Sequence, residues 1–92
     1  MLYMLCRNRV ADFAKWKRVF DSQLEAHREA GLKVVEVWRT LADQNNVFFL
    51  LEVSDIAKAK IFISTPEAAE TGKAAGVLDG EYHIIESIGS GQ

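Results

Sequence analysis

The chain has 92 residues, 49% of them hydrophobic and 26% charged, with one proline and six glycines. That is the balance of one small globular domain, and it excludes disordered, collagen-like and low-complexity classes. Eleven basic against thirteen acidic side chains leave a net charge of −2, so there is neither an electrostatic footprint for nucleic acid nor a polybasic tract for a membrane surface.

Leu2 to Arg7 reads as a strand, since five of its six residues are apolar or aromatic. Asp12 is an N-cap ahead of Phe13, Trp16, Phe20 and Leu24, which recur at helical spacing among polar neighbours. Lys17 and Asp21 lie four apart and can pair, Arg28 suits the negative end of the helix dipole, and Gly31 supplies a left-handed stop. The pattern predicts one helix over about residues 12–30. Leu32–Thr40 and Val47–Val53 are strands around the turn-rich Ala42–Asn46, which makes a hairpin. Asp55 caps a second helix with Ile56, Ala59, Phe62 and Ile63 on its apolar side. Thr65-Pro66-Glu67 is a fresh helix start, so this helix breaks near Ser64 and resumes to about Ala75, where Gly76 ends it. Its second half carries mostly alanines and a mid-helix Gly72, which makes it the least stable segment. Tyr82–Ile88 is the last strand. Residues 1–88 form a single domain and 89–92 a flexible tail.

The order β-α-β-β-α-β is that of the ferredoxin-like α+β fold: a four-stranded antiparallel sheet with both helices on one face. A sheet wet on its other face alternates apolar and polar residues. Here Val47, Phe49, Leu51 and Val53 fall on one face, and Phe48, Leu50 and Glu52 on the other. The second apolar face needs a cover, and a chain this short buries only roughly 60–65% of its unfolded surface. A second copy of the chain, packed sheet against sheet, answers both needs.

VADFAKWKRVFD (Val10–Asp21), AGLKVVEVWR (Ala30–Arg39) and NNVFFLLEVSDIAKAKIFISTPE (Asn45–Glu67) resemble small bacterial proteins of the dimeric α+β barrel superfamily. Some of these are labelled cyclase-like or antibiotic-biosynthesis-monooxygenase-like. The resemblance runs from about Leu2 to Ile85. It implies the fold and a homodimer, but no single activity, because the superfamily holds cofactor-free monooxygenases, isomerases, haem proteins and stress proteins. In such relatives a histidine often follows the arginine ending the first strand, and another sits in the middle of the first helix. The matching positions here are Asn8 and Gln23, both amides.

Glu36 and Glu52 are acids inside otherwise apolar strands. Lining a cavity between two sheets, a part-buried carboxyl there has a raised pKa and can serve as a base. At a strand edge it simply meets water or an arginine. A turn of about four or five residues leaves the register, and so their facing, open. His83, on the last strand, is the other candidate base. His27 extends the apolar stripe of the first helix by one turn and reads as a helix-end residue near the rim. Trp38 shares a face with Glu36 and can stack a planar ligand or serve as interface. Phe48 and Leu50 supply apolar walls, Tyr3 a hydroxyl, and Arg39, with Arg7, a grip on an acidic ligand at the mouth. Trp16 belongs to the core. Cys6 has no base near it and reads as a buried, inert thiol.

Two histidines on separate elements show no metal-ligand spacing, no glycine-rich loop precedes a helix, and so neither metal nor cofactor is expected. The longest apolar run, Val47–Leu51, is far short of a membrane span. An N-terminus that is apolar first and basic second reverses the order of a secretory signal, and with a lone Cys6 it fits a cytoplasmic setting. Two functional readings follow. One is a cofactor-free enzyme of monooxygenase, isomerase or cyclase type acting on a small apolar planar molecule, with Glu36, Glu52 or His83 moving a proton. The other is a non-catalytic small-molecule-binding or structural, stress-related homodimer.

Overall fold

Strand β1 (Leu2–Val10) leads into helices α1 (Phe13–Ser22) and α2 (Leu24–Glu29), a hairpin of β2 (Leu32–Arg39) and β3 (Asn46–Val53), helices α3 (Ile56–Ile63) and α4 (Pro66–Ala74), and strand β4 (Val77–Glu86). This is the arrangement in a computed structural model, which describes residues 1–91. Gln92, the last residue of the expected tail, lies outside the described residues. The four strands form one antiparallel sheet in the order β2-β3-β1-β4, so the expected ferredoxin-like α+β topology is present.

The caps stand where the sequence puts them. Asp12 accepts from Ala14 N at 3.0 Å, Asp55 from Lys58 N at 3.0 Å, and Thr65 from Ala68 N at 3.1 Å, with Pro66 at the first helical position. Gly31 (φ 76°) and Gly76 (φ 77°) take the left-handed backbone that stops α2 and α4.

Several boundaries differ from expectation, among them the end of the last strand, which lies at Glu86 rather than Ile88. The helix predicted over residues 12–30 is broken at Gln23 (φ −100°, ψ 3°). Ser22 Oγ takes the Val19 carbonyl at 2.6 Å, and Gln23 N donates to Phe20 O at 3.0 Å, a tighter turn from which α2 starts afresh. The last strand begins at Val77 rather than Tyr82, and β1 runs on to Val10. Leu78-Asp79-Gly80-Glu81 has poor strand propensity. It is held by charges across the ladder: Arg7 reaches Asp79 and Glu81 at 3.0 Å each, and Arg9 reaches Asp79 at 3.1 Å.

β3 is the central template. Val47, Phe49, Leu51 and Val53 are buried under the helices, while Phe48, Leu50 and Glu52 face the open side, as its alternation predicts. In β2 the register slips between Val34 and Glu36, leaving Val35 as an extra, half-exposed residue. That bulge turns Glu36 and Trp38, opposite Leu50 and Phe48, onto the open face, and Val37 onto the helix side. The core joins Met4, Cys6 and Val10 to Leu32, the buried residues of β3, and Trp16 and Phe20. Fully burying a side chain such as Met4 or Leu32 stabilises the fold by about 1.5–3 kcal/mol.

α1 anchors itself with Trp16 and Phe20, whereas α4 has no buried residue. Hydrogen exchange measured by NMR is therefore expected to show the amides of 66–74 exchanging well before those of β1 and β3. Equal protection of α4 and the central strands would contradict this account of where the fold is weak.

Candidate active site between the sheet and the helices

The open sheet face of the single chain carries several of the residues singled out in the sequence. Glu36 and Glu52 share it, with Glu52 placed between Lys33 and Tyr3 in the ladder. Tyr3, Trp38, Phe48, Leu50 and His83 lie there too. None of these seven lines any of the cavities described below. His83 Nε2 sits 3.0 Å from Glu81 Oε2. Hydrogen bonds from His83 and from Arg7 hold the Glu81 carboxyl below the usual range, and those from Arg9 and Arg7 do the same for Asp79. Arg39 lies on the other side, its guanidinium 4.5 Å from the Phe13 ring centre, beside a small surface recess with Asp12 and Asn45. Arg7 is not at a strand end but mid-strand, and its charge is taken up by Asp79 and Glu81.

The concave site is on the helix side. A cavity of 260 Å³ lies between β1, β3 and the helices, lined by Asn8, Trp16, Phe20, Gln23, His27, Phe49, Phe62, Glu67, Thr71, Gly72 and others. It adjoins a second recess of 350 Å³ that shares Asn8, His27, Phe49, Phe62 and Gly72 and reaches Cys6 and Tyr82 on the β4 side. The walls are aromatic. Trp16 stacks on Phe20 at 4.7 Å between ring centres, and both meet Phe49, at 5.6 and 5.1 Å.

Polar groups enter this apolar space at few points. Asn8 is opposite Gly80 in the ladder and faces the helices. Its amide Nδ2 donates to the Arg7 carbonyl at 3.0 Å, and its Oδ1 accepts from the Trp16 indole Nε1 at 3.2 Å. A Cβ on residue 80 would come within 2.6 Å of that amide group and 2.9 Å of Arg7 O, so only glycine leaves the asparagine its place. Gln23 enters from the helix break. Asn8 and Gln23, the two amides standing where the resembling proteins have histidines, therefore line one cavity.

His27 is the site residue that the sequence placed elsewhere, at a rim. It is held between Phe20 and Phe62, with ring centres 5.5 Å from each. Its Nδ1 is buried and has no hydrogen-bond partner among the described residues. Burial lowers its pKa, so the ring is neutral at pH 7. The signal was in the sequence: His27 follows Leu24 by three in the apolar stripe. The break at Gln23 leaves Leu24 45% exposed while His27 lines the cavity. Thr71 Oγ1 donates to the Glu67 carbonyl at 2.9 Å, and Glu67 itself is exposed at the mouth. The Cys6 thiol is pushed up to about 12 by burial, which leaves it un-ionised and inert, in line with its reading as a core residue. Among the described residues no three His, Cys, Asp or Glu side chains converge on a point that could hold a metal ion, and no helix is long and apolar enough to cross a membrane.

No family model and no curated protein matches the chain. Solved structures do. An antibiotic biosynthesis monooxygenase superposes with a TM-score of 0.70 at 16% identity, over 97% of this chain and 100% of the other. SnoaB, a cofactor-independent oxygenase from Streptomyces nogalater, gives 0.76 at 14% identity, covering 97% and 94%. An uncharacterized NIPSNAP domain protein from Burkholderia xenovorans gives 0.68 at 11%, covering 95% and 94%. The chain has the fold of the antibiotic biosynthesis monooxygenase-type proteins. At these identities the likeness concerns the backbone alone.

Two outcomes follow from this geometry. The unfolded chain takes up a proton on His27 near pH 6.5, the ordinary histidine value, whereas the folded chain resists it. Folding stability should therefore fall as pH drops below about 6.5, and the His27→Phe variant should show a flatter dependence of Tm on pH between roughly 7 and 5. Identical slopes for the two proteins would remove His27 from the buried, neutral state. Separately, Gly80→Ala should cost about 1–3 kcal/mol in urea unfolding, because the new methyl displaces Asn8 or the Arg7 carbonyl.

Proposed function

We propose that the protein is a cofactor-free enzyme acting on a small, planar, mostly apolar molecule bound in the cleft between the sheet and helices α1, α2 and α4. The observation that carries this is a neutral His27 imidazole in the lining of an aromatic-walled cavity. A neutral imidazole has one ring nitrogen with a free lone pair, and from the cavity wall it can take a proton from an acidic C–H or O–H of the bound molecule. Trp16, Phe20, Phe49 and Phe62 exclude water and stack a ring, and the amides of Asn8 and Gln23 can meet its oxygen atoms.

Proton removal is the first step shared by oxygenation, isomerisation and cyclisation. The oxygenase branch is supported by the likeness in fold to SnoaB, a cofactor-independent oxygenase. An activated CH2 gives its proton to His27, the carbanion reduces molecular oxygen, and loss of water leaves a carbonyl, so that CH2 and O2 become C=O and H2O. Oxygen uptake with planar ketones that carry an activated ring CH2, in buffer with a metal chelator, tests this. His27→Gln should slow uptake by about 100-fold or more, the usual contribution of a positioned base. An unchanged rate in that variant would remove His27 from catalysis, and no uptake by the native protein with any such compound would favour the second reading.

That second reading, a non-catalytic binding or structural, stress-related homodimer, draws on the way His27 is held. Its ring is oriented by packing on Phe20 and Phe62 rather than by a carboxylate, which is enough for binding.

We further infer a homodimer formed through the open sheet face in a cytoplasmic setting. Tyr3, Leu5, Trp38, Phe48, Leu50 and Ile85 make that face apolar, with Trp38 46% and Ile85 39% exposed. Glu36, Glu52 and His83 would then belong to the interface rather than to the catalytic cleft. Sedimentation at micromolar concentration should give twice the mass of one chain, and a Trp38→Glu variant should sediment as a monomer.

A further inference from the structure

We infer that Gly72 sets the size of the molecule that the cleft accepts. The inference rests on the cleft being the ligand site proposed above. Gly72 lies in the last turn of α4, two residues before its end, and within a helix glycine is less favourable than alanine. The backbone does not call for it: the positive-φ glycines are Gly31, Gly76 and Gly89, and Gly72 is helical. Nor does close packing call for it. A Cβ at residue 72 would meet no atom within 4 Å, in contrast to the crowding at Gly80.

The empty space is cavity. Ala68, Gly72 and Ala75 recur at offsets of four and three, the spacing of one helix face. All three line the 260 Å³ cavity, and Ala68 and Gly72 also line the adjoining recess. Gly72 therefore stands where the two spaces meet, in a lining it shares with His27, Phe49 and Phe62. A methyl at this position meets nothing within 4 Å, and a longer side chain projects into the joined space and shortens it. Gly72 is thus a specificity-determining residue. It admits a fused, two-ring planar molecule, and bulk in its place restricts the cleft to a single ring.

The test compares the binding of phenol and 2-naphthol to the native chain and to Gly72→Ala and Gly72→Leu, read by Trp fluorescence, with Tm measured alongside. Both variants should stay folded, with Tm of Gly72→Ala raised by a few degrees. Gly72→Leu should lose 2-naphthol affinity by about tenfold or more while keeping phenol, with Gly72→Ala between the two. If Gly72→Leu is folded and binds 2-naphthol as the native chain does, or loses phenol equally, the sizing role is overturned and the cleft remains as the site. If the native chain binds neither probe, the proposed site itself falls, and the inference with it.

Discussion

The helix layer has to cover the inner face of four strands, and it does so unevenly. α1 lays Trp16 and Phe20 on β3, where they close against Phe49. α4, which has to cover the other half, brings alanines, a threonine and a glycine, none of them buried. Small side chains cannot reach the sheet, and the shortfall is the cleft. A packed interior at normal density leaves few voids larger than a water molecule. A cavity of 260 Å³ beside an intact aromatic stack is therefore a property of α4 and not of a loose core. Its consequences run in two directions. The segment is the weakest part of the fold, and it is the wall that a ligand would touch.

Most of the architecture was legible in short-range pattern. The alternation in Val47–Val53 assigned every residue of β3 to its face, and the caps Asp12, Asp55 and Thr65 marked where helices begin. What escaped was set by groups far apart in the chain. The extension of β4 through Asp79 and Glu81 depends on arginines more than 60 residues away. The break at Gln23 depends on a serine hydroxyl claiming a backbone carbonyl, which a hydrophobic stripe does not record.

The site was legible in its residues more than in its place. Asn8 and Gln23 were marked as a pair, and the structure puts them in one cavity. Glu36, Glu52 and His83 stand out because an uncovered apolar face is conspicuous in a short chain, and the structure places all three on that face. A concavity under a helix of small residues leaves only a weak trace: the glycine and alanines of α4 read as instability when they also mean space. His27 lay on the right stripe. Its place in the cavity lining depends on the break four residues earlier, which leaves Leu24 outside.

Weak helix and open cavity are one trade-off with a definite scale. Glycine in place of alanine within α4 costs about 1 kcal/mol. A ligand that binds only the folded chain returns RT ln(1 + [L]/Kd), about 2.7 kcal/mol at a concentration one hundred times Kd. Ligand at about five times Kd therefore offsets the penalty, and ligand binding should be felt most in the segment that lines the cleft. The burial that keeps His27 neutral acts in the same sense. A folded chain with an unprotonated ring resists acidification only as far as its core holds together, and a planar molecule under α4 would supply the contacts that the helix itself lacks.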